Sequence, residues 1–146
     1  MINIYGAVIL VLLMIPNIVY FQKLKKNGEE NVQRKGSSVD IIEQIGRYGC
    51  IIFMLVNTGF FERGFASDTA IWVWAAVSAV LIAGYYIYWV LLFKKPSVLF
   101  YKIMLAVLPC ILFIFSSIIM RRPAALFFSA VFAFSHVYIT CKNCKV

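Results

Sequence analysis

The chain has little charge, and most of that charge is of one sign. Charged residues make up 14% of its 146 residues, six of them are acidic, and His136 is the single histidine. The longest polar stretch, residues 22–40, reads as a solvated loop that is too short to fold by itself. These deficits exclude an ordinary water-soluble domain, in which about 25% of residues are charged.

No complete motif of known chemistry occurs, so the sequence does not name a reaction. Hydrophobic residues make up 63% of the chain. Five apolar runs fill most of it, each near the roughly 20 residues that a helix needs to cross a bilayer. The runs cover about residues 3–22, 41–61, 69–93, 97–120 and 123–140. They predict an all-α fold: a single membrane domain, residues 1–146, built as a polytopic integral membrane bundle of five transmembrane helices.

Basic residues are divided unevenly between the two ends of these runs. Eleven of the fourteen Lys and Arg residues fall on the side that holds the basic loop at 23–39 and the C-terminal tail. Because Lys and Arg mark the cytoplasmic side, the N-terminus is expected outside and the C-terminus in the cytoplasm. The first run lacks a positive n-region and a cleavage site, so it is expected to be a retained helix. Membrane lipids are expected partners of the basic loops; nucleic acid is not.

Polar residues inside lipid are costly, so their positions are the best evidence for a functional site. On the second run, polar residues recur at spacings of three and four and so share one helix face. That face comprises Asp40, Glu43, Arg47, Cys50, Met54 and Asn57. Glu43 precedes Arg47 by one helical turn and is its expected ion-pair partner. Gly46 and Gly49 are predicted to let another helix approach beside this face.

The fifth run carries a second small and polar face. Ser129, Ala133, His136 and Thr140 form it. Depth along the helices, at 1.5 Å per residue, puts His136 near the level of Glu43 and Arg47. Asn17 and Tyr85 fall at a comparable level. The predicted ligand-binding residues are Asn17, Glu43, Arg47, Asn57, Tyr85 and His136.

The convergence of these side chains predicts a polar pocket near the cytoplasmic leaflet and open to the cytoplasm. The alternative is simple interhelical hydrogen bonding, in which each contact contributes on average about 0.6 kcal/mol. The third and fourth runs, by contrast, are expected to be mainly lipid-facing scaffold.

Cys141 and Cys144 form a CxxC pair at the end of the fifth run. Such a pair can act as a redox dithiol or supply half of a zinc site. A second pair is missing, because Cys50 and Cys110 lie inside apolar runs. Two reduced thiols are the favoured interpretation, so neither a metal nor a cofactor is predicted, and the redox and zinc alternatives stay open.

Two segments carry a resemblance to a known group of proteins. Ile15-Pro16-Asn17-Ile18 closes the first run, and residues 42–50, with the sequence IEQIGRYGC, open the second. With these segments the chain resembles small multi-span membrane proteins of Gram-positive bacteria that have no assigned activity. The resemblance implies a bacterial cytoplasmic membrane and brings no cofactor or catalytic residue.

The leading functional hypothesis is non-enzymatic: a small permease-like or ligand-binding membrane protein that takes a small molecule into the polar pocket. An alternative is an accessory or regulatory subunit that docks a larger membrane partner, or a homo-oligomer, through the same helix faces. A third is a membrane-embedded enzyme that uses Glu43 or His136 for acid–base chemistry, or the CxxC pair for redox chemistry.

Overall fold

Five α-helices follow one another in the computed structural model, which describes residues 2–26, 38–57, 59 and 63–144. They are α1 (Ile4–Lys26), α2 (Ser38–Leu55), α3 (Asp68–Lys94), α4 (Leu99–Ile119) and α5 (Pro123–Cys144). Within those residues there is no β-strand, although Ile2 and Val56 form an isolated antiparallel bridge. The all-α prediction is therefore confirmed.

Three of the helices, α3, α4 and α5, are long and apolar enough to cross a membrane. The apolar part of α1, Ile4–Tyr20, is shorter. The helix α2 carries three charged residues, Asp40, Glu43 and Arg47. Length and composition thus support a membrane-embedded helical protein, with three candidate spans among the described residues.

The helix bounds differ from the apolar runs in three places. The helix α2 ends at Leu55, whereas the second run continues to residue 61. The helix α1 continues past the end of the first run, through Lys26, into the predicted basic loop. Most of that loop, residues 27–37, lies outside the described residues. The helix α5 continues through Cys144, beyond the end of the fifth run at residue 140.

The helices contact one another in a closed ring, in the order α1, α2, α5, α4, α3. The most extensive contact is between α2 and α5, while α1 touches α2 and α3 lightly. One end of the ring, the hairpin end, holds Asn3, Asn57 and Arg122, which contact one another or the same backbone. At the other end, the basic end, the Lys23 Nζ atom lies 4.7 Å from the centre of the Phe93 ring.

The close approach of α2 and α5 depends on two glycines. A Cβ atom added to Gly46 would lie 2.7 Å from the backbone nitrogen of Phe132, and one added to Gly49 would lie 2.2 Å from Cδ1 of Phe128. Both distances are shorter than van der Waals contact. The prediction that Gly46 and Gly49 admit another helix is confirmed, and that helix is α5.

The connection between α4 and α5 is three residues long. The Arg122 amide donates to the Ser117 carbonyl at 2.9 Å, and the Arg121 amide donates to the Ile118 carbonyl at 3.0 Å. Arg121 has a φ of +54°, as this type of helix ending requires. Pro123 then occupies the first position of α5, where its fixed φ suits the helix and its missing N–H costs nothing. The two helices pack as an antiparallel hairpin.

The expectation that the third and fourth runs mainly face lipid is wrong for α4. This helix lies between α3 and α5 in the ring, so much of it is interior. Its buried residues are Ala106, Cys110, Leu112, Phe113, Ser116 and Ser117. On α3, Tyr85 and Trp89 also point inward, whereas Trp72 is 76% exposed. Each helix of the ring has two neighbours, and α4 packs extensively against both of its own, α3 and α5.

Candidate functional site

Residues of all five helices line one cavity of about 360 Å³. Its wall is mostly apolar and is formed by Leu10, Leu13, Met14, Ile18, Ile51, Leu105, Pro109, Phe113 and Phe132. Four polar side chains interrupt it: Asn17, Arg47, Tyr85 and His136. All four belong to the six predicted ligand-binding residues. A fifth, Glu43, contacts Arg47 and His136.

Pro16 shapes the α1 side of the cavity. A proline inside a helix removes the hydrogen bond to the carbonyl four residues earlier, which here belongs to Leu12. The Tyr86 hydroxyl of α3 donates to that carbonyl at 2.8 Å. The next side chain along α1, Asn17, donates from Nδ2 to the Tyr85 hydroxyl at 3.0 Å. Two adjacent tyrosines of α3 thus hold the part of α1 around Pro16 against the bundle.

Glu43 is the centre of a charged cluster between α2 and α5. Its Oε1 atom accepts a hydrogen bond from Nη2 of Arg47 one turn later, and the same oxygen lies 3.0 Å from Nδ1 of His136. The side chain of Glu43 is 10% exposed, against 47% for Arg47 and 28% for His136. Glu43 is therefore set back from the cavity, whereas Arg47 and His136 line it.

Phe132 orients these two groups. The His136 ring stacks on the Phe132 ring with 4.8 Å between centroids and 24° between planes. The guanidinium carbon of Arg47 lies 5.8 Å from the centre of the same ring, within the range of a cation–π contact. Since the backbone of Phe132 packs against Gly46, the position of the Phe132 ring is fixed by α2 as well as by α5.

The cavity combines an apolar body with a few directed polar groups, which is the usual composition of a small-molecule site. The guanidinium has five N–H donors, and one of its nitrogens, Nη2, is used by Glu43. Asn17 and Tyr85 add an amide and a hydroxyl on the α1 and α3 side. The arrangement can hold a molecule with an apolar part and a polar head, while Glu43 balances the charge of Arg47.

Asn57, the sixth predicted residue, is not at this cavity. It lies beyond the end of α2 at the hairpin end, where its Oδ1 accepts a hydrogen bond from Nη2 of Arg122. Arg122 is buried, with 6% of its surface exposed. Its Nη1 donates to the carbonyls of Phe53 at 3.0 Å and Met54 at 3.3 Å. Arg122 therefore caps the C-terminus of α2, where a cation is favourable.

Asn3 completes this cap. Its Nδ2 donates to the Met54 carbonyl at 3.1 Å, and its backbone N–H donates to the Leu55 carbonyl at 2.7 Å. The Val56 amide donates to the Ile52 carbonyl at 2.8 Å. With the bonds from Arg122, the last four carbonyls of α2, which a helix cannot satisfy by itself, all have donors.

Sequence reasoning missed the cap because its residues are far apart in the chain. Arg122 and Phe53 are separated by 69 positions, and no periodicity connects them. The available signal is chemical: an arginine in a turn as short as residues 120–122 has few polar partners close to it in the sequence. The charge distribution by itself counts Arg122 only as one of the three basic residues on the outer side.

A second cavity of about 390 Å³ lies at the hairpin end. Its lining includes Asn3, Asn57 and Arg122, whose polar atoms already bond to the end of α2 or to one another. Gly59 and Arg63 also line it, and residues 60–62 of the chain lie outside the described residues. The cavity with Arg47 and His136 is therefore the stronger candidate for a ligand site.

Hydroxyl and thiol groups fill the space between α2, α4 and α5. The Ser129 hydroxyl donates to the Ala125 carbonyl at 2.6 Å and can accept from the Cys50 thiol at 3.3 Å. Its oxygen also lies 3.3 Å from that of Ser117. The polar faces predicted on the second and fifth runs thus meet here. All of these side chains are buried and bonded to one another, so this cluster holds helices together.

The CxxC pair lies in the last turn of α5, where Cys141 is a partly exposed free thiol. The side chain of Cys144 lies outside the described residues. Among the side chains that are described, no three His, Cys, Asp or Glu groups cluster in a way that could hold a metal ion.

No protein family, curated protein or solved structure matches this chain. Any functional assignment must therefore start from the geometry of the cavity.

Proposed function

We propose that this protein is a five-span protein of the bacterial cytoplasmic membrane that binds a small molecule in the cavity and acts as a permease-like carrier. The N-terminus lies outside and the C-terminus in the cytoplasm. The observation that carries the proposal is the cavity itself. Five helices line it, it presents Asn17, Arg47, Tyr85 and His136, and its volume of about 360 Å³ falls within the roughly 300–1,000 Å³ of small-molecule sites.

The proposal that α2 is a span draws support from where its charges point. By composition α2 is too polar for lipid, yet Glu43 is buried and contacts His136 of α5. Ile41, Ile42 and Ile45, by contrast, are exposed. A helix with this distribution can cross a membrane as part of a bundle. The cap formed by Arg122 and Asn3 supplies the backbone bonds that the end of such a helix requires in lipid.

The orientation is supported by the exposed lysines. Lys23, Lys94, Lys102 and Lys142 are exposed and belong to the basic end. Because Lys and Arg stay on the cytoplasmic side, this end is the cytoplasmic one. His136 and Glu43 lie on the halves of α5 and α2 that lead to this end, and Arg47 lies at the middle of α2. These positions support a cavity near the cytoplasmic leaflet.

The docking alternative has less support from the packing. A subunit that recognises a partner helix through small residues would leave them on its surface. Here Gly46 and Gly49 are covered by α5 of the same chain, and Ser129 is fully buried. The small-residue faces predicted from the sequence are thus used within the bundle, which favours a ligand-binding function.

The test begins with native mass spectrometry of the purified protein, to detect a molecule that copurifies with it. The variant Leu105→Trp fills the cavity, since Leu105 lines it. Leu99→Trp is the matched control, because Leu99 is on the same helix and is 44% exposed. We expect the copurified molecule to be lost from Leu105→Trp and kept in Leu99→Trp. Equal occupancy of both variants would reject the cavity as the binding site.

The orientation is tested separately by thiol labelling of intact cells with a membrane-impermeant maleimide. In a background without the four native cysteines, Arg63→Cys is expected to react from outside and Lys102→Cys only after permeabilisation. Both positions are exposed. Labelling of Lys102→Cys in intact cells would reject the proposed orientation.

A further inference from the structure

The charges of Arg47 and Glu43 balance before any ligand enters. Arg47 contributes one positive charge and Glu43 one negative charge, and the two are hydrogen-bonded. His136 completes the cluster, with Nδ1 at 3.0 Å from Oε1 of Glu43. One carboxylate oxygen thus serves both neighbours. A second negative charge in this apolar space would lack a counter-charge, and uncompensated buried charges are costly.

We propose that the ligand is a carboxylate-type monoanion with an apolar body, and that its binding takes up one proton on His136. This inference rests on the proposed function, because it names the ligand class for the same cavity. The ligand's negative head binds the guanidinium of Arg47, and its apolar part fills the space between Leu13, Leu105 and Phe113. The added negative charge is matched by the imidazolium, so the site stays neutral.

The geometry favours an anion over a cation. The Arg47 side chain is 47% exposed, and Arg47 lines the cavity, whereas the Glu43 side chain is 10% exposed and is shared between Arg47 and His136. A cationic head would meet the guanidinium and would find its counter-charge already occupied. An anionic head meets N–H donors, which form short charge-assisted hydrogen bonds with carboxylates.

His136 is the group that can supply the additional charge. On α2, the charged groups that face it are Glu43, whose Oε1 lies 3.0 Å from Nδ1 of His136, and Arg47, which lines the same cavity. From α4 the titratable group is the thiol of Cys110, which donates to the Ala106 carbonyl. From α3 it is Tyr85, which is bonded to Asn17. The cavity-lining residues of α1 carry no titratable side chain.

An anion bound to Arg47 weakens that residue's hold on Glu43. The Glu43 carboxylate then interacts more strongly with His136. Protonation of the imidazole gives Glu43 a new ion pair in place of the weakened one with Arg47. Each anion enters the site with one proton, and the pair carries no net charge across an apolar environment. A carrier built in this way would couple anion movement to the proton gradient.

The experiment uses the full chain in lipid nanodiscs and isothermal titration calorimetry. The probe is 1-octanesulfonate, whose head group stays ionised, so any proton taken up must go to the protein. Octan-1-ol and octyltrimethylammonium are the neutral and cationic comparisons, and empty nanodiscs give the lipid background. Titration in two buffers with different ionisation enthalpies measures proton uptake, expected to be about one per bound anion near neutral pH.

Three variants define the roles of the residues. Arg47→Gln is expected to lower the affinity for the sulfonate by at least about tenfold and to remove the preference for the anion. His136→Gln keeps a hydrogen-bond donor near Glu43 but cannot take up a proton, so proton uptake should vanish. Lys102→Gln is the matched control, since it removes an exposed charge on α4 and should leave both quantities unchanged. Thermal unfolding checks that each variant folds.

The outcomes separate this inference from the proposed function. Binding of octyltrimethylammonium or octan-1-ol as tight as that of the sulfonate, and blocked by Leu105→Trp, overturns the anion while the cavity remains a site. Sulfonate binding without proton uptake overturns the role of His136. If Arg47→Gln fails to fold, Arg47→Lys serves instead: it keeps the charge and must keep the anion preference. If no probe binds and the Leu105→Trp test is also negative, the proposed function itself fails.

Discussion

The Tyr86 hydroxyl replaces the hydrogen bond that Pro16 removes from α1, since it donates to the Leu12 carbonyl at 2.8 Å. The Leu12 carbonyl is thus satisfied from the neighbouring helix, although Pro16 offers it no N–H. This contact and the adjacent bond between Asn17 and Tyr85 hold α1, the most lightly packed helix, at the cavity.

The first prediction concerns the hydrogen bond from the Tyr86 hydroxyl to the Leu12 carbonyl. Tyr86→Phe should lower the free energy of unfolding by about 1–2 kcal/mol, because a partly buried carbonyl is left without a donor. Unfolding of the purified protein in mixed micelles measures the change. In a Pro16→Ala background the helix supplies its own N–H to Leu12, so Tyr86→Phe should cost markedly less there. An equal cost in both backgrounds would show that Tyr86 does not act through the Leu12 carbonyl.

The second prediction ranks three glycine-to-alanine changes. Gly46→Ala should be the most harmful, by about 1–3 kcal/mol, because its Cβ would meet the backbone of Phe132, which cannot rotate away. Gly49→Ala should cost less, since its Cβ meets the ring of Phe128, a side chain that can shift. Gly84→Ala is the control: the nearest atom to its Cβ is 3.9 Å away. Its stability should be unchanged or raised by up to about 1 kcal/mol.

The third prediction concerns the cap of α2. Arg122→Leu should destabilise the protein by about 2–4 kcal/mol, because the carbonyls of Phe53 and Met54 lose a charged donor. Arg122→Lys should recover only part of this loss, since one ammonium group cannot reach the carbonyls and Asn57 as the forked guanidinium does. The neighbouring Arg121 is exposed, so Arg121→Lys should have no effect. Thermal unfolding of the three variants side by side gives the comparison.

The fourth prediction concerns the turn between α4 and α5. Arg121 adopts a φ of +54°, a conformation that costs an ordinary residue about 1–2 kcal/mol and glycine almost nothing. Arg121→Gly should therefore raise the free energy of unfolding, by up to about 1 kcal/mol after the entropy of the unfolded glycine is counted. Arg121→Ala should give no such gain. A loss of stability in Arg121→Gly would mean that the arginine side chain itself holds the turn.

The sequence was most informative where chemistry and helical period agree. Glu43 and Arg47 are one turn apart, and the depth of His136 along α5 followed from counting residues, so their meeting could be expected. Gly46 and Gly49 predicted that another helix approaches α2 closely, and the structure identifies that helix as α5. The same period wrongly grouped Asn57 with these residues, because the grouping assumed that α2 continues past Leu55.

The remaining features depend on contacts that periodicity does not encode. The end of α2 is decided by Asn3 and Arg122, which lie 51 positions before Met54 and 68 positions after it. The interior position of α4 depends on the order of helices around the ring, and an apolar helix looks the same in sequence whether it faces lipid or its neighbours. The walls that Leu105 and Phe113 add to the cavity could not be anticipated for this reason.

The cap of α2 also constrains how the protein is made. Synthesis proceeds from the N-terminus, so α2 leaves the ribosome 69 residues before Arg122 arrives to bind Phe53, and 93 residues separate Glu43 from His136. During that interval the most polar of the helices has neither its cap nor its partner. If α2 crosses the membrane as proposed, its stable insertion waits for α5, and a nascent chain released before residue 122 would leave α2 without its cap and without its partner.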